Sequence, residues 1–351
     1  MLNEAGMSKG TTLSFQSMDD NVLTIIKRKN IKVKEFQTLI QKYRSDNIPT
    51  YSEIIIGLAG ESYNSFANGL DTLVSNGCHL GLSCYHCEVL PNSEMGDPKY
   101  REVHGIESTE TPVLFFHGTP AEDPYEEKYE IVTSTKTLSK EDWLKCSLIS
   151  WAFQCFHCLG LTQNLAVFLH QFVKLSYREF YEDLLQFARN NSTTVLHQIY
   201  SEAEQCFKNL SQGKPWGIVD QRFGNIVWPV EEGSFLNLMY DRGRFYHELR
   251  MFVGEYPGID DLLLDDLIEY QKTVVKDPFE GIEKVIDLSH NIYEYLEAAY
   301  QNQIIDLTSG RYQYKITKAK DYQADYETYA REVCWWGRKG GTFTHRIERV
   351  V

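Results

Sequence analysis

The sequence predicts an α/β unit with a parallel sheet over residues 1–133, a mainly helical domain over 134–310, and a short α+β segment over 311–351. Three observations carry this division. Short apolar runs alternate with helical patterns in the first part. Apolar and aromatic residues then recur at helical spacing behind capping-box signals. Strict alternation returns at Arg311 to Lys318.

The elements follow in order. Thr12 to Gln16 reads as a strand. Asn21 to Arg28, with Val22, Leu23, Ile25 and Ile26, reads as a short helix. Val33 to Tyr43 is helical, with Phe36, Leu39 and Ile40 on one face. Tyr51 to Leu58 is a β-branched run that reaches Gly57. Ser65 to Val74 is helical, with Phe66, Leu70 and Leu73. Leu80 to Leu90 is another strand. Three strands separated by helices of this length predict right-handed βαβ units. Beyond them, Ser139 to Asp142 and Ser176 to Glu179 are capping boxes that open helices. Further helices are expected at 193–210, 233–252, 259–271 and 282–300, then a strand at 311–318, a helix at 324–335 and an extended end at 340–350.

Hydrophobic residues make up 42% and aromatics 13% of 351 residues, which excludes wholesale disorder. A formal net charge of −14 argues against duplex nucleic acid and anionic membrane as partners, because both need a basic face. Eight cysteines are too sparse for a disulfide scaffold, and no secretory signal opens the chain, so a reducing cytoplasm is expected. Cys146 to Val173 carries no charge. Gln154, His157, Gln163, Asn164, His170 and Gln171 interrupt it, so it reads as two buried helices and not a membrane span.

Polar residues gather at the ends of the three strands. Ser14 and Gln16 share one face of the first, at period two. Arg28 follows twelve residues after Gln16, suited to bidentate capture of a carboxylate or to ending a helix. Glu53 lies inside an apolar run that enters a Gly57-x-x-Gly60 turn, where backbone can approach a ligand closely. The third strand passes through Tyr85 and Cys87 to Pro91. In α/β folds this end of the sheet is where ligands bind.

In order and spacing these three segments resemble radical S-adenosylmethionine (SAM) enzymes. LSFQSMDDNVLTIIKRKN resembles the fourth barrel strand and its helix. EIIIGLAGES resembles the fifth strand and its Gly-Leu-Pro-Gly-Glu-Thr turn, with Ala59 for proline and Ser62 for threonine. CYHCEVLPNSEM resembles the sixth strand. The run from TPAEDPYEEKYEIV through YAREVCWWGRKGG is similar to the branch that carries a cobalamin-binding domain before the barrel.

The resemblance implies a partial (β/α) barrel followed by the helical domain. It implies SAM, a [4Fe-4S] cluster and cobalamin as cofactors, with a radical formed from SAM acting on an unidentified small-molecule substrate, most commonly for methyl transfer. It implies that Gln16 and Ser14 meet the SAM ribose and that Arg28 meets the methionine carboxylate. Glu53, Ile55 and the Gly57 backbone are implied along ribose and adenine, with Tyr85 and Cys87 flanking the adenine. The cofactors carry the hard chemistry and the protein orients them.

The family's Cys-x3-Cys-x2-Cys cluster motif is absent from this sequence, whose first cysteine is Cys78. The chain therefore reads as the carboxyl part of a longer enzyme, inactive alone and partnered by a missing barrel half or cobalamin domain. The alternative is a cluster-less remnant that binds SAM or a partner without turnover. A third reading has structural zinc at Cys84-x2-Cys87 and Cys155-x2-Cys158. On a strand Cys84 and Cys87 face opposite sides, so buried thiols are the ordinary outcome. Weaker signals are His117 at the mouth of the site, the polar loop Asp220, Arg222 and Asn225, and an anion-holding glycine-rich loop at Arg338 and Lys339.

Overall fold

The computed structural model describes residues 10–46, 48–120, 127–279, 281–318, 320–337 and 345–350. Contacts divide the chain into two units. The first comprises Met1–Gln154, Ser201–Gln221 and Asn225–Gly233; the second comprises Cys155–Tyr200, Arg222–Gly224 and Ser234–Val351. The loop of Arg338 and Lys339 lies outside the described residues.

The first unit opens with β1 (Thr11–Gln16), α1 (Asp20–Ile25), α2 (Val33–Ser45), β2 (Thr50–Ile56), α3 (Tyr63–Ser75) and β3 (Leu82–His86). The strands form a parallel sheet in the order β1-β2-β3, and this sheet is not closed. Ser14 aligns with Glu53, Glu53 with Ser83, and Ile55 with Tyr85. Side chains alternate across a strand, so this register divides the sheet into two faces. One face carries Phe15, Ile54, Ile56 and Leu82, buried with Phe36 of α2 and Phe66, Leu70 and Leu73 of α3. Phe15 meets Phe36 edge-on at 4.9 Å. The other face carries Ser14, Glu53, Ile55, Ser83 and Tyr85, all exposed or half-buried.

Downstream come α4 (Pro98–His104), the antiparallel pair β4 (Glu107–Pro112) and β5 (Lys128–Ser134), and α5 (Lys140–Ala152). The chain after β3 runs beside β5: the Val89 amide donates to Glu130 O, and the Val132 amide to Cys87 O. Ser139 caps α5 by accepting from the Asp142 amide, and its hydroxyl meets the Asp142 carboxylate at 3.0 Å. From Cys146 to Ala152 every residue of α5 is buried, as expected of a core helix. Among the described residues no single helix is long and apolar enough to cross a membrane.

The second unit contains α6 (Gln163–Phe172), α7 (Tyr177–Asn190), α10 (Arg242–Val253), α11 (Asp261–Val274) and α12 (Ile292–Tyr300), with the helices α8 (Val195–Ser211) and α9 (Val230–Tyr240) passing between the two residue sets. The Ser176 and Glu179 capping box is complete at the start of α7. Two helix starts are capped from a distance. The Gln271 amide oxygen accepts from Asn164 N at 2.8 Å, and the Glu248 carboxylate accepts from Val195 N at 2.8 Å. Each satisfies orphan amides of a first helical turn.

One element departs from the sequence expectation. Residues 282–300 form a strand at Glu283–His290 and only then the helix α12. Ile286, Leu288 and His290 alternate inward, and the strand pairs antiparallel with Ser309–Thr317, itself paired with Arg346–Arg349. The partner strand overrides the short helical pattern.

Candidate functional site

Two polar residues on the sheet face opposite the buried one meet each other. Ser14 Oγ donates to Glu53 Oε2. Beyond Ser14 the register slips, so that Gln16 stands opposite Ile54, and Gln16 adopts φ of 66°. This bulge at Phe15 lets the buried phenylalanine stay in the core while the strand end turns. Left-handed backbone at a non-glycine residue is uncommon and clusters at functional sites.

Gly57 follows β2 with φ of +98°, and a Cβ there would stand 3.3 Å from Val132 Cβ. Gly60 has φ of +88°, and its Cβ would fall 2.5 Å from Ile25 Cδ1 of α1. Both positions need glycine, for conformation and for space. The Gly57–Gly60 turn therefore presents bare backbone at the end of the sheet.

Cys87 is placed behind this turn. It is buried with Val22, Leu58, Val89, Ile106 and Val132, and its Sγ lies 3.5 Å from Met95 Sδ. Burial pushes its thiol up to about 12. Tyr85, by contrast, is 52% exposed on the same face as Glu53.

Arg28 is positioned by the end of α1. The Arg28 amide donates to Leu23 O and the Lys27 amide to Thr24 O, with Lys27 at φ 56°. These bonds form a Schellman motif, which turns the chain sharply and exposes the residues after it. Arg28 lines a cleft of about 800 Å³ with Met18, Leu23, Thr24, Lys27 and Asn30. The cleft begins two residues after Gln16 but is not lined by Ser14, Glu53, Ile55 or Tyr85. The structure thus brings Ser14 to Glu53 and Gly57 to Cys87, and it sets Arg28 in a neighbouring basic cleft.

Sequence reasoning missed Glu61. It is 1% exposed and accepts from Ser17 Oγ at 2.6 Å and from Ser65 Oγ. Burial raises its pKa against the opposing effect of those two hydroxyls. Asn30 Nδ2 donates to Ser17 O at 2.7 Å, so one network ties the β1 loop, the cleft wall and the β2 turn together. The signal available in the sequence was an acidic residue directly after the Gly57-x-x-Gly60 turn.

The remaining candidates are tied into the two units. His117 has φ of 64°, and its Nε2 lies 2.6 Å from Glu232 Oε2, a buried carboxylate of the first unit. Arg222 stacks over Tyr240 at 4.3 Å in the second unit. All eight cysteines are free thiols, and the described residues hold no group of three or more His, Cys, Asp or Glu able to hold a metal.

A parallel sheet with one polar, partly exposed face and a turn bounded by Gly57 and Gly60 at its carboxyl end has the form of a ligand crevice of an α/β protein. No protein-family model matches the chain. Over 293 residues it is 32% identical to 2-(S-pantetheinyl)-carbapenam-3-carboxylate methyltransferase of Streptantibioticus cattleyicolor, covering 79% of this chain and 43% of that protein. Over 296 residues it is 30% identical to the cobalamin-dependent radical SAM methyltransferase TokK of Streptomyces tokunonensis, again covering 79% and 43%. The chain spans less than half the length of the curated relatives it matches. This similarity supports the radical SAM superfamily and a methyl-transfer role among its relatives.

Proposed function

We propose that this chain is the SAM-binding portion of a cobalamin-dependent radical SAM methyltransferase, with the polar sheet face as the wall against which SAM lies. The observation that carries this reading is the convergence of Ser14, Glu53, Ile55 and Tyr85 on the sheet face opposite the buried one, where each is exposed or half-buried. The Ser14 and Glu53 pair offers a hydroxyl and a carboxylate to a ribose diol. The Gly57 turn offers backbone at van der Waals approach to a flat base, and Tyr85 an exposed ring. Arg28 offers a guanidinium without a side-chain partner among the described residues, suited to the methionine carboxylate. Cys87 shapes the turn from behind.

When bound with a reduced cluster, SAM supplies a carbon radical; the residues of this chain would orient it and keep water from it. Every cysteine here lies outside the Cys-x3-Cys-x2-Cys spacing. We therefore assign the cluster and cobalamin to other parts of the protein or to a partner, with this half-barrel completed by that contribution. The substrate in this reading is a small molecule. Calorimetric titration with SAM tests the binding face, and loss of SAM affinity in Glu53→Ala is the expected result. Anaerobic incubation with iron and sulfide tests the cluster assignment. The chain alone is expected to show no charge-transfer absorption band, whereas a stable cluster with SAM turnover would refute it. SAM binding without turnover, even when the completing half is supplied, would favour a cluster-less binding protein.

A further inference from the structure

Charge is unevenly placed along the first unit. The chain carries a formal net charge of −14, yet five of the eight residues from Lys27 to Lys34 are Lys or Arg and none is acidic. This run connects α1 to α2 and lines the cleft of about 800 Å³.

Four cations line the cleft, Lys27, Arg28, Lys29 and Lys32, against one acidic residue, Asp20. Lys27 is answered by Glu94 at 2.5 Å. Arg28, Lys29 and Lys32 are exposed and make no side-chain hydrogen bond or ion pair among the described residues.

The backbone that presents them is tied at three points. The Arg28 amide closes the end of α1 on Leu23 O. Asn30 Nδ2 donates to Ser17 O at 2.7 Å. The Phe36 amide donates to Lys32 O at the start of α2. Lys29 and Lys32 therefore flank a tethered loop, whose backbone is ordered before any ligand arrives. Lys32 stands at the start of α2 without a side-chain cap, and Lys34 follows in the first turn. Cations there oppose the helix dipole, so helix stability does not account for them.

Ile31 and Val33 are 39% and 40% exposed on the same lining. The cleft thus offers unpaired cations beside apolar surface, in a volume within the range of small-molecule sites. A concavity lined by one sign of charge concentrates ions of the other. Arg28, Lys29 and Lys32 less Asp20 leave two positive charges. A phosphate monoester balances both, whereas a carboxylate balances one.

We propose that Lys29 and Lys32, beside Arg28, hold the phosphate of a phosphorylated small molecule whose apolar body lies on Ile31 and Val33. The site does not depend on the SAM reading. Where the methionine carboxylate takes Arg28, Lys29 and Lys32 remain for the phosphate.

The test uses the whole chain with phenyl phosphate, inorganic phosphate and benzoate at matched ionic strength. At about pH 7.5 the phosphate monoester is mainly dianionic. Calorimetry is expected to show saturable binding of phenyl phosphate, about tenfold tighter than benzoate. Lys29→Gln and Lys32→Gln are each expected to weaken phenyl phosphate about tenfold. Lys34→Gln, on the same charged run but outside the cleft, is expected to leave its affinity unchanged. Ile31→Ser is expected to weaken phenyl phosphate and to spare inorganic phosphate. All four side chains are exposed, so these variants are expected to fold. Absence of saturable phenyl phosphate binding overturns the proposal. So does an equal loss in Lys34→Gln and Lys29→Gln, which diffuse attraction would give. Benzoate bound as tightly as phenyl phosphate overturns it as well, since the cleft then reads a single negative charge.

Discussion

The buried carboxylate of Glu61 accepts a 2.6 Å hydrogen bond from the Ser17 hydroxyl, across 44 residues of sequence. The bond fastens the loop after β1 to the turn after β2. Those two loops carry Gln16 and Gly57, so their spacing sets the width of the crevice between them. Glu61 also accepts from Ser65 in α3, which fixes the carboxylate from its other side.

Burial raises the Glu61 pKa above the ordinary carboxyl value of 4.5. A carboxyl raised in the folded state contributes stability that is complete below the unfolded value and lost as pH rises through the folded one. Glu61→Gln carries no such titration. The variant is therefore expected to gain stability relative to the parent chain as pH rises above about 4.5, levelling once Glu61 is ionised. Thermal melts from pH 4 to pH 7 read the difference. A constant offset across that range would show that the Glu61 pKa is the same in the folded and unfolded chain.

Glu53 and Arg28 are proposed to meet opposite ends of SAM. Glu53→Ala removes the acceptor that Ser14 engages, and Arg28→Ala removes a charge at the cleft. Each is expected to weaken SAM binding about tenfold to a hundredfold, as for hydrogen bonds to charged groups. Calorimetry measures both. An unchanged affinity for Arg28→Ala would place the methionine arm outside the basic cleft.

Gly57→Ala puts a Cβ at 3.3 Å from Val132 Cβ and a side chain on a φ of +98°. The combined strain is expected to cost about 1–3 kcal/mol. Urea unfolding should show a lowered midpoint with the slope unchanged. The same variant is expected to bind SAM more weakly, because the turn backbone must shift.

The cysteines differ sharply in access. Burial pushes the Cys78 thiol up to about 11 and the Cys87 thiol up to about 12. Thiolate is the reacting species, so both are expected to resist iodoacetamide at pH 8 in the folded chain. Cys84 is partly exposed and is expected to react first. Peptide mapping after brief labelling reads the order, and early modification of Cys87 would contradict its place in the apolar cluster.

The three strands and three helices that open the first unit were legible because their signals are local. The β-branched run of Tyr51 to Leu58 and helical spacing in Phe66, Leu70 and Leu73 each need only a few consecutive residues. Ser139 and Ser176 announced their helices for the same reason, since a cap acts three residues away. The strand at Glu283–His290 was not legible, because its partner lies in Ser309–Thr317 and pairing decided it.

The sequence by itself determined which polar residues sit at the strand ends and that one face of the sheet would be apolar. Only the tertiary structure decided what those residues meet. The contact of Ser14 with Glu53 depends on the register of β1 against β2. The burial of Cys87 depends on the return of the chain through Val132. The meeting of Arg242 and Lys318 on Asp277 draws together residues far apart in the chain, which no spacing rule encodes. Local patterns follow from the geometry of one segment, whereas charge partners follow from packing, where the low dielectric of the interior makes each neighbour matter most.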